Sequence, residues 1–290
     1  MPVALAVAIE PHPSARMQSS EPIDALNVLD PVEKTLLIPL LARVWGRRWH
    51  CVQGPWDQSG EHVLARLSHE VPPWLPDPVT LCCIVWRTRQ LVAEAQAHFA
   101  RHPRSWGVNM GAGLSDYFQW LDNGVNHWVD IDRQRVMQLR SRCMPPHTRG
   151  TGLSVDLTEP GWWSRVAGCI SARRQPLFVM LEGVLLYMRP SQAKQVLATL
   201  GEHAPAGTNL VFDVIPRWLV GWPVRMPLPV KEQPVFQWGL TSMQELETLH
   251  PRLQLQSATS SPLATMAWPW PQANPWQSCA PYAVVRLSVS

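Results

Sequence analysis

A chain of 290 residues has room for one large α/β core with an appendage, or for two small domains. With 46% apolar and only 16% charged residues, against roughly 25% charged in an average domain, it is not disordered throughout. A net charge of +3 is too small for a phosphate-tracking surface, so a small molecule or a peptide is the expected partner, and nucleic acid is not.

The six cysteines, Cys51, Cys82, Cys83, Cys143, Cys169 and Cys279, contain no C-x-x-C pair, which points to a reduced, cytoplasmic protein. The opening MPVALAVAIEP has no Lys or Arg ahead of its apolar run and turns to Glu10 and Pro11, unlike a secretory signal. No apolar run approaches the roughly 20 residues of a membrane span. A soluble protein without a membrane partner is expected.

In chain order, residues 1–25 read as a flexible tail. Asp30-Pro31 then opens a helical pattern with Leu36, Leu37, Leu40, Leu41 and Val44 on one stripe, a spacing close to 3.6. A Pro-rich stretch over 51–80 holds a short helical piece at 63–67, and a helix runs over 87–101. These segments form an N-terminal helical cover, 26–105. From residue 106 short strands and helices alternate: strand 108–111, helix 116–121, strand 127–132, helix 133–142, strands 152–157 and 177–181. Pro190 starts a helix where its missing N–H costs nothing, and 209–214 is a further strand. Such alternation implies βαβ units and a mostly parallel sheet. Segments 253–257 and 282–288 alternate with period two, which suggests an antiparallel pair at the sheet edge. Proline and tryptophan, 29 and 16 in all, crowd into 216–238 and 262–281, which read as stiff aromatic loops that pack internally or form a lid.

The stretch VNMGAGLSDYF at 108–118 places a Gly-x-Gly turn after the first strand, where a backbone without Cβ lets a ligand approach. About twenty residues on, Asp132 ends the second strand, as a ribose-binding carboxylate would. Asp116 stands where a dinucleotide fingerprint has its third glycine, and a carboxylate there repels a pyrophosphate. S-adenosylmethionine has the same adenine and ribose with a sulfonium and an ammonium and no phosphate, so an acidic turn suits it. His98 and His102 lie four apart on a helix without the Glu of a zinc-protease motif, so no metal is expected.

VNMGAGLSDYFQWL, WVDID, SVDL and LEGVLLYM follow one another over residues 108–188 in a way that resembles the leucine carboxyl methyltransferase and polyketide carboxyl O-methyltransferase group (Ppm1/TcmP-like). EKTLLIPLLAR and WRTRQLV resemble its helical N-terminal region, and the similarity covers residues 31–215. Here Ser115-Asp116-Tyr117 replaces the family's Asp-Thr-Arg, and Asp130 stands where a glutamate is common. The resemblance implies a Rossmann-like class I methyltransferase. Together with the alternating elements this gives a mostly parallel seven-stranded sheet with helices on both faces and a core over 106–290, and the Trp/Pro-rich composition reads as a lid inserted at about 216–240. The resemblance also implies S-adenosylmethionine as methyl donor, S-adenosylhomocysteine as product and no metal. Arg87 would pair with the donor's carboxylate, a task suited to a planar bidentate cation. Gly111, Ala112 and Gly113 would line the methionine moiety, Ile131 and Asp132 the ribose, and Asp156 and Leu157 the adenine. Glu182 and Gly183 would face the amino or sulfonium side.

A carboxylate acceptor is ionised at neutral pH and needs no general base. It does need donors to orient it, for which Arg89, Arg217 or Arg225 are the candidates, with Tyr187 near the reacting oxygen. The expected reaction is methyl-ester formation on a small, polyketide-like carboxylic acid. An NAD-dependent oxidoreductase and a non-catalytic S-adenosylmethionine-binding module are the alternatives.

Overall fold

The computed structural model describes residues 26–46, 55–67, 71, 74–171, 175–261 and 282–290. The tail at 1–25 and the second Trp/Pro-rich stretch lie outside them. The chain opens with α1 (Pro31–Lys34), where Asp30 and Glu33 form a capping box, followed by α2 (Leu37–Gly46) and α3 (Gln58–Arg66). The helix expected from residue 87 begins nine residues earlier as α4 (Pro78–Arg101). Asp77 caps it through Thr80 N–H at 3.0 Å, and Pro78 occupies the first turn, where proline is preorganised.

The core then alternates β1 (Trp106–Met110), α5 (Phe118–Leu121), β2 (His127–Asp132), α6 (Gln134–Cys143), β3 (Gly150–Ser154), α7 (Trp162–Cys169), β4 (Phe178–Leu181), α8 (Pro190–His203) and β5 (Asn209–Val214). α7 was not expected, and β3 starts two residues before the expected strand. β6 (Leu253–Ser260) and β7 (Ala283–Val289) close the sheet in the order β3-β2-β1-β4-β5-β7-β6. The first five strands run parallel, and β7 is antiparallel to both of its neighbours.

β1, β4 and β5 are buried along their whole length, because helices cover both sheet faces. Trp86, Leu91, Val92 and Phe99 of α4 pack on one face against Phe178 and Met180. Val166 of α7 and Leu197 and Leu200 of α8 pack on the other. α4 is therefore a layer of the sheet domain as well as part of the cover. Strand order reverses between β1 and β4, and in open α/β sheets this switch point is where ligands bind, at the carboxyl ends of the strands.

Residues 216–240 form a strap. Its base is fixed by Arg217 N–H to Leu240 O and Leu240 N–H to Ile215 O, both 2.9 Å. Gly221 N–H to Phe236 O (2.8 Å) and Val224 N–H to Pro234 O (2.7 Å) make it a hairpin. Met226 at its tip is buried with Ile38, Ala42, Leu81 and Ile84 of α2 and α4.

Cys83, Cys143 and Cys169 are free, but Cys82 is disulfide-bonded, so the fully reduced chain expected from cysteine spacing does not hold at that position. Among the described residues no helix is long and apolar enough to cross a membrane.

His98 of α4 is completely buried. Its Nδ1 lies 2.9 Å from Asn209 Nδ2, which can only donate, and its Nε2 lies 3.0 Å from Ser105 Oγ. The ring therefore has to be neutral, with its proton on Nε2. Burial, with His102 and Arg101 nearby, lowers its pKa to about 3. An unfolded His98 protonates near pH 6.5, so this contribution to stability is complete above that pH and is lost as pH falls towards 3. The unfolding free energy read from denaturant titrations should drop over this range by an amount on the order of a few kcal/mol, and His98→Gln should flatten the slope.

Candidate active site

The site grows from the switch point. Gly111 follows β1 with φ +72, and a Cβ there would sit 2.3 Å from Val184 Cγ2, so the turn needs glycine. Gly111 and Ala112 donate their N–H groups to Ile131 O at 2.7 and 2.9 Å. Gly113 N–H donates to Asp132 Oδ2 at 2.8 Å and Arg133 N–H to Asp132 Oδ1 at 2.7 Å. Burial raises the Asp132 carboxyl, and these two backbone donors hold part of the rise back.

Across the crevice, Glu182 follows β4. Arg87 grips its Oε1 from Nε (3.1 Å) and Nη2 (2.9 Å), and Ser115 Oγ donates to Oε2 at 3.2 Å. The remaining Arg87 nitrogen, Nη1, donates to Asp213 Oδ2 at 2.9 Å, and Asp213 Oδ1 accepts Gly183 N–H at 2.6 Å. Burial raises the Glu182 carboxyl, but the guanidinium groups of Arg87 and Arg43 more than offset it and hold it below the usual range. Two carboxylates thus share the Arg87 guanidinium, which leaves surplus negative charge at the switch point.

These groups open on one cavity of about 1920 Å³, where a single drug-sized ligand fills roughly 300–1,000 Å³. There is room for two small molecules side by side. Asp30, Glu33, Asp132, Asp156, Glu182 and Asp213 line one part, and the other is walled by Trp74, Trp218, Trp222 and Phe236 with Arg225 and Lys231.

The profile of the leucine carboxyl methyltransferase family matches residues 80–201. Tetracenomycin polyketide synthesis O-methyltransferase TcmP of Streptomyces glaucescens is 27% identical over 231 residues, 79% of this chain and 83% of the relative. The chain is thus similar, over residues 80–201, to the leucine carboxyl methyltransferase family. It is a methyltransferase that depends on S-adenosylmethionine, which removes the nicotinamide alternative. A crystal structure from Thermobifida fusca YX, of a protein put forward as a methyltransferase, matches with a TM-score of 0.56 and 15% identity. That match covers 94% of this chain and 99% of the other, and shows the shared fold.

In this methyltransferase, Gly111, Ala112, Gly113, Asp132, Asp156, Leu157, Glu182, Gly183, Arg87, Tyr187 and Arg225 all line the cavity. Asp156 also closes a turn by accepting from Thr158 N–H (2.8 Å) and Oγ1 (2.6 Å). Arg87, expected to face a ligand carboxylate, is committed to Glu182 and Asp213. Ile131 does not reach the cavity: its side chain is buried in the core and its carbonyl serves the glycine turn. Arg89 and Arg217 are exposed outside the cavity, because Arg89 lies on the solvent side of α4 and Arg217 on the outer side of the strap base. The His98 and His102 pair is used in packing, and among the described residues no group of three or more His, Cys, Asp or Glu could hold a metal.

Several supporting residues escaped the sequence. Arg140 of α6 donates from Nη1 to the carbonyls of Ala112 (3.3 Å), Gly113 (2.8 Å) and Ser115 (2.8 Å), and from Nη2 to Asp130 Oδ2 at 2.6 Å. It braces the glycine turn from the neighbouring helix. Arg43 donates to Asp57 Oδ2 (2.7 Å) and Leu114 O (3.0 Å), tying α2 and α3 to the same turn. Asp116 accepts from Ser59 Oγ at 2.5 Å and pairs with His147 Nε2 at 2.9 Å. Burial raises the Asp116 carboxyl, yet His147 and Ser59 bring it below its ordinary value. Asp116 thus stays ionised and is turned away from the cavity, which it does not line.

Replacing Arg140 with Met should leave Asp130 and the turn carbonyls without their donor. Breaking a buried pair costs about 3 kcal/mol or more. Thermal melts should show a lowered Tm, and calorimetry a Kd for S-adenosylmethionine weakened at least about tenfold; an unchanged Kd would remove the bracing role.

Proposed function

We propose that the enzyme transfers the donor's methyl group to a carboxylate of a small, polyketide-like acid, forming a methyl ester. One observation carries this reading: the cavity is unevenly charged, with six carboxylates against Arg87 and Arg133 around the switch point, and Arg225 and Lys231, accompanied by Glu232 and Asp77, towards the strap. A sulfonium donor suits the first half and an anionic acceptor the second. The relative's printed role in tetracenomycin polyketide synthesis supports the acceptor class.

S-adenosylmethionine, when bound, supplies an electrophilic methyl group. Asp132 accepts the ribose hydroxyls, Asp156 and Leu157 meet the adenine, and the turn at Gly111, Ala112 and Gly113 admits the methionine part. Glu182 and Asp213, held by Arg87 and by the Gly183 N–H, provide the anionic floor on which a positive sulfur is favoured. The acceptor carboxylate is already ionised at neutral pH, so the chain needs no general base and no metal; it must hold the oxygen in line and exclude water. Burial pushes the Tyr187 phenol up, with a Thr35 hydrogen bond drawing it slightly back. Its hydroxyl therefore stays protonated and serves as a donor beside the reacting carboxylate. Arg225 orients the acceptor from the strap, at the end away from the carboxylate that reacts. The helical cover over 26–105 and the strap close the two sides of the site, as suits an enzyme that acts on small molecules.

Purified protein incubated with S-adenosylmethionine and a panel of aromatic and aliphatic acids should release base-labile products heavier by one methylene. Arg225→Ala should raise the acceptor KM about three- to tenfold, as expected for a partly screened charge contact, and leave donor affinity intact. Methylation confined to phenols or amines, with every acid left untouched, would sink the carboxylate reading.

A further inference from the structure

The tip of the strap is held by one side chain. Gln233 accepts Met226 N–H on Oε1 at 2.8 Å, and its Nε2 donates to Met226 O at 2.7 Å and Leu228 O at 2.6 Å. The whole amide is spent on the two backbone turns of the tip, which otherwise lack a regular hydrogen-bond ladder. Arg225 immediately precedes one stapled residue, and Lys231 lies in the 3-10 turn Val230–Glu232 that leads into Gln233. Met226, buried against α2 and α4, fixes the tip to the body.

Two cations six positions apart are thereby presented to the same cavity wall. Neither forms an ion pair among the described residues. Two acids also line this cavity, Glu232 next to Lys231 in sequence and Asp77 at the start of α4, and Asp77 is engaged with Thr80 N–H at 3.0 Å and Oγ1 at 2.6 Å. Both cations are exposed, as is Trp222 nearby on the strap, so they sit at the outer end of the cavity. Tyr187 is half-buried farther in and packs on Phe236, with ring centroids 5.8 Å apart. A carboxylate reacting at the inner end leaves Arg225 and Lys231 facing another part of the acceptor.

We propose that Arg225 and Lys231 form a second anion subsite, assembled by Gln233 as a positioning residue, and that the acceptor carries a second anionic group distant from the carboxylate that is methylated. The proposal rests on the carboxylate reading above and refines it: the acceptor class is a diacid, or an acid bearing a comparable anion, on an apolar frame that spans the aromatic walls. Paired cations attract such a group, and their effect weakens with salt because the site is open.

The test compares an aromatic monoacid with the diacid on the same ring frame. Binding to the full chain loaded with S-adenosylhomocysteine is read by calorimetry, and turnover with S-adenosylmethionine is read as methyl ester. The diacid should bind about tenfold more tightly at low salt and turn over with a correspondingly lower KM and an unchanged kcat. Lys231→Ala, at an exposed position, should remove most of that preference. Gln233→Ala should remove it too while monoacid kcat and donor Kd hold, and Gln233→Asn should restore part. Equal binding of the two acids, or a Gln233→Ala variant that lowers Tm without touching the preference, overturns the subsite. A diacid that binds preferentially yet is never esterified keeps the subsite and instead defeats the carboxylate reading.

Discussion

The buried contact of Arg87 with Glu182 and Asp213 is the constraint on which the rest of the molecule depends. It joins α4 to the ends of β4 and β5, and two further connections converge on it. Ser115 brings in the turn after β1, and Arg43 Nη1 approaches Glu182 Oε2 at 3.9 Å from α2. Burying three charged groups is costly unless they pair with good geometry, and the bidentate grip on Glu182 with a separate bond to Asp213 supplies it. Arg43 is itself paired with Asp57 at 2.7 Å, so three carboxylates meet two guanidinium groups and the cluster is not neutral. It is a structural joint that also leaves a negative floor where a sulfonium donor belongs.

Turn chemistry carries that floor to the ligand. Asp213 takes the N–H of Gly183, whose φ of +66 turns the chain after Glu182, while Asp132 takes the N–H of Gly113. Each carboxylate thus satisfies a backbone donor that would otherwise be buried without a partner. Arg140 does the same for the carbonyls of the glycine turn. The turns are held by side chains from other elements, so the cradle is preorganised before any ligand arrives.

The parts of this arrangement that obey local rules were legible in the sequence. Strands with buried runs, the Pro190 helix start, the Gly-x-Gly turn and the acidic end of β2 announced themselves by period or by residue type. Glu182 was legible because a carboxylate flanked by LFVML and GVLLYM needs a partner, and Asp213 in NLVFDV carried the same signal unread. The early start of α4 was written in Asp77-Pro78 but masked by the surrounding prolines. α7 was missed because its first turn follows Gly161 in the left-handed region with no capping side chain. Arg43, Asp57, Ser59, Arg140 and His147 gave no local sign. Their partners lie 14 to 71 residues away in the cases of Arg43 and Asp57, Leu114 and Ser59, and only the packed fold brings them together. Arg89 and Arg217 were misplaced for the converse reason: charge type was right, but helix phase and strap orientation turned them outward.

Donor and acceptor recognition are built by different physics within one cavity. The donor half uses charges that are buried, paired and anchored to the sheet, where screening by salt is slight. The acceptor half hangs from a strap whose tip, between its 3-10 turns, is fastened by a single glutamine amide and anchored to the cover by Met226. Its cations stand in solvent, where they act at longer range and are easily screened. A sheet fixed by many ladder bonds resists change, whereas a tip held by one amide can be re-aimed by one substitution. On the proposed reading, methyl donation is set by the fold and the choice of acceptor by the strap laid across it.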